Sequence, residues 1–283
     1  MAQFVNQAQL SYNNSVVASN IAVGEILEVL SASKTALSGV YSKDDTVTYV
    51  ISLVNTGTVP VTGLTVTDDL GTYTQGTLTL TPLTYVDGSV RYFVDGVLQP
   101  SPLVTVGTNL SFANITVPAG GNTTIIYEAE VNGFAPLEAD SAIVNTATIT
   151  GGGITPVTVS ETVTVLDGPF LTITKAISPV LVSENGTLTY TFTIANYGNT
   201  AVTATDDAVV TDTFNPILSN IGVTFNGTTW VEGTNYSYDE VTGLFTTLSG
   251  QITVPEATFA QDSVTGSVIT TPGTVTLVVT GTV

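Results

Sequence analysis

Three polar residue types stand on strand faces that are otherwise apolar, and they recur along the chain. They are Lys34, Asp68 and Asn145 in the first half, Lys175 and Asp212 in the second, and Asn6 near the start. Side chains two apart on a strand share a face. Lys34 is therefore in phase with Leu30, Ala32 and Ala36, and Lys175 with Leu171, Ile173 and Ile177. Asp68 falls in with Leu64, Val66 and Leu70, and Asp212 with Ala208, Val210 and Phe214. Asn145 aligns with Ile143, Ala147 and Ile149, as Asn6 does with Phe4, Ala8 and Leu10. An unpaired charge inside a core is costly, so these groups are expected to meet one another. Apolar surroundings drive a lysine amine towards its neutral, nucleophilic form and an aspartate towards its protonated one. Such an amine, beside an amide polarised by a carboxylic acid, can attack it, expel ammonia and leave a Lys-Asn isopeptide bond. A buried Lys-Asp ion pair hydrogen-bonded to Asn, with no reaction, accounts for the same pattern. Glu128 is a rival acid in the first half, but its repeat position is Thr280, whereas Asp68 has Asp212.

The elements that must hold these groups are strands. Short alternating runs rich in Thr and Val are punctuated by Gly, Asn, Asp and Pro, and no stretch reads as a helix. Lys34 to Gly71 matches Lys175 to Phe214: Lys34, Tyr49, Asn55 and Gly57 recur 141 residues later, and Asp68 recurs at Asp212 after a three-residue insertion. Ile115 to Val131 likewise resembles Ser267 to Val283, where the second copy stops. The first copy continues through "IVNTATIT" and a second strand about a Gly-Gly-Gly turn. The only other segment like that pair opens the chain, "FVNQAQLSYNNSVVASNIAVGEIL", with Asn6 in the place of Asn145 and Asn-Asn at the turn.

The expected organisation is all-β: an N-terminal donor hairpin (residues 1–28) and two tandem Ig-like antiparallel sandwiches (29–166 and 167–283), the second lacking its last strands. A sandwich without those strands exposes core and a bare edge. Phe4, Ala8, Leu10 and Tyr12 on one hairpin face are the complementary object. Strand addition from one molecule to the next then predicts a head-to-tail homopolymer. The other possibilities are closure within one chain and simple packing on the first sandwich.

Lys on a first strand, Asn on a last and an acid between resembles the self-crosslinking sandwiches of bacterial pilins and adhesins. "TLTYTFTIANYGNTAV", "VVTDTF" and "VNTATIT" resemble the conserved repeat domain of bacterial surface proteins, a family known as a domain of unknown function. The resemblance implies an Ig-like structural module at a cell surface, and a leaderless member implies a spore-forming source. It also implies one bond between Lys34 and Asn145 assisted by Asp68, and a second between Lys175 of one subunit, assisted by Asp212, and Asn6 of the next. The expected role is a structural subunit of an extracellular or spore-surface fibre; the alternative is a surface adhesin with the repeats as a stalk.

Composition narrows the rest. The 283 residues carry 23 acids against four basic residues and a formal charge of -19, which speaks against nucleic-acid and anionic-membrane partners. With neither Cys nor His, disulfides, zinc sites and Ser-His-Asp triads are absent, so no enzyme, cofactor or resident metal is expected. No Sec-type leader and no transmembrane-length apolar run is recognised. The acidic clusters "SKDDT", "TDDLG" and "TDDAV" read as solvated turns, with calcium binding as the alternative. Trp230, Tyr236 and Tyr238 form either an exposed carbohydrate-binding patch or part of the core.

Overall fold

In the computed structural model, residues 2–26 and 29–283 are described, and their regular structure consists of antiparallel strands with one 3-10 turn, Ala204–Asp206. The chain divides into two compact units, residues 1–132 with 143–163 and residues 133–142 with 164–283. The short segment 133–142 therefore falls with the second unit rather than inside the first.

The first unit opens with a hairpin. β1 (Ala2–Asn6) pairs with β4 (Ala22–Ile26), and β2 (Gln9–Tyr12) with β3 (Ser15–Ala18). Asn13 and Asn14, at φ 42° and 63°, make its tip. Two successive left-handed residues give the turn whose twist matches flanking strands, and Asn tolerates that conformation. Between the paired stretches, the Ser19 amide donates to the Ala8 carbonyl and the Ala8 amide to Ser19 Oγ, so the ladder is carried across the irregularity. Residues 4–23 are exposed on both faces. Phe4 is 54% and Leu10 66% exposed, which is abnormal for apolar strand residues in register with a core pattern.

The sandwich that follows has two six-stranded sheets. One contains β5 (Leu30–Ala36), β7 (Thr46–Asn55), Asn122–Val131 and Arg91–Val94; the other contains Leu110–Val117, β8 (Val61–Asp68), Ala142–Gly151, Val157–Val165 and, at its edge, β6 (Val40–Tyr41). Their alternating inner faces bury Tyr49, Ile51, Leu53, Leu64, Phe112 and Tyr127 completely. Asn55 is the buried end of β7: its amide donates to the Val59 and Pro118 carbonyls and its Oδ1 accepts the Gly57 amide, so it closes a turn.

The second unit repeats the first sheet as Leu171–Ser178, Thr187–Asn196, Gly273–Thr282, Ser219–Phe225 and Thr228–Trp230. Its opposing layer is reduced to Thr211–Thr213, Leu244–Thr247 and Tyr236–Asp239, with a separate pair Thr258–Gln261 and Val268–Thr271. β8 is flanked on both sides, by Leu110–Val117 and Ala142–Gly151. Its counterpart Thr211–Thr213 pairs only with Leu244–Thr247 among the described residues, so one edge stands open.

Candidate functional site

β5, β8, Asn122–Val131 and Ala142–Gly151 bring the first polar set together inside the first sandwich. β5 carries Lys34 opposite Ile51, and β8 places Asp68 opposite Ala147 on the strand bearing Asn145. The side chains of Lys34 and Asp68 are fully enclosed, with Nζ 2.6 Å from Oδ2. The same Oδ2 accepts the Tyr127 hydroxyl at 2.7 Å, and Oδ1 accepts the Leu70 amide at 3.0 Å. Asn145 Nδ2 donates to the Tyr127 oxygen at 3.1 Å. Lysine, aspartate, tyrosine and asparagine thus form one buried chain of hydrogen bonds.

Its electrostatics follow from burial. Loss of water pushes the Lys34 ammonium below its ordinary value, while Asp68, Asp69 and Glu161 pull the other way. The Tyr127 hydroxyl is pushed well up, by burial first and by Asp68 second, and burial also lifts Tyr49. Lys34 lies 5.0 Å from the Tyr49 ring centre, a position favourable to its charged form. Two buried atoms, Tyr49 Oη and Asn145 Oδ1, have no hydrogen-bond partner among the described residues. An orphaned amide oxygen costs stability and leaves that carbonyl free to take a proton donor.

Reading the sequence for charged residues missed Tyr127, although its phase with Ile125 and Ala129 put it on the core face. Glu161 was missed as well; it is in phase with Val163 and Val165. Glu128 points outward and is exposed, so it does not belong to this set.

The second polar set is only partly assembled. Lys175 is paired with Asp212, but their side chains are 40% and 19% exposed. Aromatic rings surround the amine: those of Tyr190, Phe214 and Phe192 lie 4.5, 5.3 and 5.5 Å away. Val279 occupies the Tyr127 position, since it faces Tyr190 as Tyr127 faces Tyr49. Every residue of Leu171–Ser178 is exposed, whereas Leu30 and Lys34 in β5 are buried. The facing sheet of the first sandwich ends in Ala142–Gly151, Val157–Val165 and β6, a set with no counterpart in the second unit among the described residues. Asn6, the third member expected there, is exposed at the end of β1, and Phe4, Ala8, Leu10 and Tyr12 of the same hairpin are exposed with it.

The hairpin differs from the pair Ala142–Gly151 and Val157–Val165 in how bulk is shared between its two strands. The Val165 amide bond to the Ser141 carbonyl and the Thr148–Thr158 hydroxyl contact put Ile143 opposite Val163 and Asn145 opposite Glu161. In the hairpin these pairs become Phe4 opposite Gly24 and Asn6 opposite Ala22. A Cβ at Gly24 would collide with the Phe4 ring, which lies over the glycine and fills the space of a Val side chain.

Trp230 and Tyr236 are core residues, at 9% and 4% exposure, and Tyr238 bonds through its hydroxyl to Leu218, so the exposed aromatic patch is not formed. No group of three acidic side chains among the described residues is arranged to hold a metal. No described helix is long and apolar enough to cross a membrane.

No sequence family and no curated protein matches the chain. Among solved structures it is similar to the major pilin subunit BcpA of Bacillus cereus, at 14% identity over 96% of this chain and 73% of that one, TM-score 0.35. It is similar to the pilus backbone RrgB of Streptococcus pneumoniae at 14% identity, over 86% of this chain and 55% of that one, TM-score 0.36. To the collagen adhesin CNA of S. aureus the identity is 12%, over 53% and 54% of the two chains, with a TM-score of 0.30.

Proposed function

We propose that this chain is the structural subunit of an extracellular or spore-surface fibre, in which the N-terminal hairpin of one copy completes the second sandwich of the next. The observation that carries the reading is a matched deficit. Leu171, Ile173 and Ile177 lie bare at 40%, 54% and 41% exposure on an incomplete sandwich, and a hairpin homologous to the missing strands is exposed on both faces. Burying one such side chain contributes roughly 1.5 to 3 kcal/mol before ordering costs. The pairing of Ala147 with Asp68 and Ile149 with Val66, carried across the repeat, sets Ala8 opposite Asp212 and Leu10 opposite Val210 of the neighbour. The expected polymer has no other partner and uses no cofactor.

The enclosed Lys-Asp-Tyr-Asn chain supports a covalent brace. The Lys34 ammonium gives one proton to Asp68, and its nitrogen then attacks Cγ of Asn145. The Cγ–Nδ2 bond breaks, and the amide nitrogen leaves as ammonia with a second proton from Nζ. At the junction Lys175 and Asp212 of one copy act on Asn6 of the next, making the fibre covalent.

Leu10→Asp tests the assembly, because Leu10 is exposed in the hairpin and its replacement leaves the subunit fold intact. The parent chain should form filaments by electron microscopy and the variant should remain monomeric. Filaments from Leu10→Asp would overturn the reading. Monomeric parent chains that capture a glycan or matrix protein would favour the adhesin instead.

A further inference from the structure

In the first sandwich the outer strand of the pair Ala142–Gly151 and Val157–Val165 is itself covered. β6 pairs with Val157–Val165 and closes that sheet, and its Tyr41 is fully buried. The repeat offset of 141 places Leu181 and Val182 of the second unit at the positions of Val40 and Tyr41, with no insertion between Lys175 and Tyr190. The turn beyond is the same in both units. Asp44 and Asn185 have φ 64° and 60°; the Asp45 amide donates to Ser42 and the Gly186 amide to Ser183. Val131 bonds the Asp45 carbonyl as Val283 bonds that of Gly186. Only the strand is missing: residues 179–182 form none, Val180 and Leu181 are 82% and 91% exposed, and Val182 packs against the core.

We propose that the segment around Leu181 is a clasp for the outer strand of an incoming hairpin. β4 of a second copy, the counterpart of Val157–Val165, pairs with Leu181 and Val182 as that strand pairs with β6. This rests on the donor-hairpin reading and adds a second contact line to it. The donor's inner strand binds the open edge at Thr211–Thr213, and its outer strand is gripped from the other side. The occupant follows from the backbone chemistry of the segment. The free backbone of an apolar, unpaired segment needs a strand edge, and β4 is the strand whose first-unit counterpart already pairs with β6. Gripping both edges makes the hairpin an interior pair of the completed sheet, which slows its release rather than its arrival.

Amide hydrogen exchange on the full chain, comparing filaments with the Leu10→Asp monomer, separates the two contact lines. Both the 211–213 and the 181–182 amides should slow by at least about tenfold on assembly. Protection at 211–213 with 181–182 unchanged would overturn the clasp and leave strand donation standing. No protection at either would remove both.

Discussion

The same substitution made at the two lysines should have very different costs. Asp68 accepts Lys34 at 2.6 Å, Tyr127 at 2.7 Å and the Leu70 amide at 3.0 Å, in a site closed to water. Measured against the parent with Lys34 and Asn145 unreacted, Lys34→Met leaves that carboxylate with two neutral donors, and removing one partner of a buried pair costs about 3 to 5 kcal/mol. Lys175 is 40% exposed and its partner Asp212 19%, so Lys175→Met in the unassembled subunit should cost about 1 kcal/mol or less. The measurement belongs in the Leu10→Asp background, so that subunits stay apart. Urea unfolding can then follow each unit by its own signal. Trp230, the single tryptophan, is stacked on Phe225 in the second unit, and the stacked Tyr49–Tyr127 pair gives near-UV circular dichroism in the first. With a slope of about 2 kcal/mol/M, Lys34→Met should lower the first midpoint by about 2 M, and Lys175→Met should move the second by no more than about 0.5 M. If the proposed docking encloses the second pair, the two costs should draw closer in filaments. A Lys34→Met effect below about 1 kcal/mol, or one no larger than that of Lys175→Met in the monomer, would refute the argument from burial.

Tyr127→Phe removes the hydroxyl that joins Asp68 to Asn145 and should cost about 2 to 4 kcal/mol by urea unfolding, more than deletion of an exposed hydroxyl. It should also slow any Lys34–Asn145 bond, read by intact mass as loss of one ammonia. Asn145→Ala should abolish that mass change within the subunit, while Asn6→Ala should abolish only detergent-resistant multimers; persistence of either signal would count against the assigned asparagine. Burial holds Lys34 below its ordinary 10.5, so in the unreacted protein the unfolded state binds more protons between the folded value and 10.5, and stability of the first unit should rise with pH through that window. Above about 10 the buried Tyr41, Tyr49 and Tyr127 stay protonated in the fold but ionise in the unfolded chain, so stability should then fall. The rise below 10.5 should vanish once Lys34 is bonded, which thermal melts across pH can read.

The all-β architecture was legible because period-two alternation states which side of each strand is apolar. It singled out Lys34, Asp68 and Asn145, and in the first sandwich these lie on one hydrogen-bonded chain. Tyr127 escaped because tyrosine is ordinary on a core face; only its place between Asp68 and Asn145 distinguishes it, and that depends on pairing across four strands. At Trp230 the sequence left core and exposed patch as open alternatives, and the structure selects the core. Residues in short strands between turns look exposed in sequence, and Trp230 is buried by stacking on Phe225. The Phe4–Gly24 exchange for Ile143 and Val163 needed a cross-strand register that no single strand encodes.

The enclosure of lysine has a consequence for resistance to proteolysis. Trypsin-like proteases cut after lysine and arginine, and this chain has four such residues. Lys34 is sealed in the first sandwich, and a docked hairpin would cover Lys175. That leaves Lys43 in a tight turn and Arg91 at the start of a strand, its guanidinium tied to the Gly88 and Val90 carbonyls. With no disulfide to reduce, a fibre of such subunits would resist both digestion and reducing surroundings by what its sequence omits.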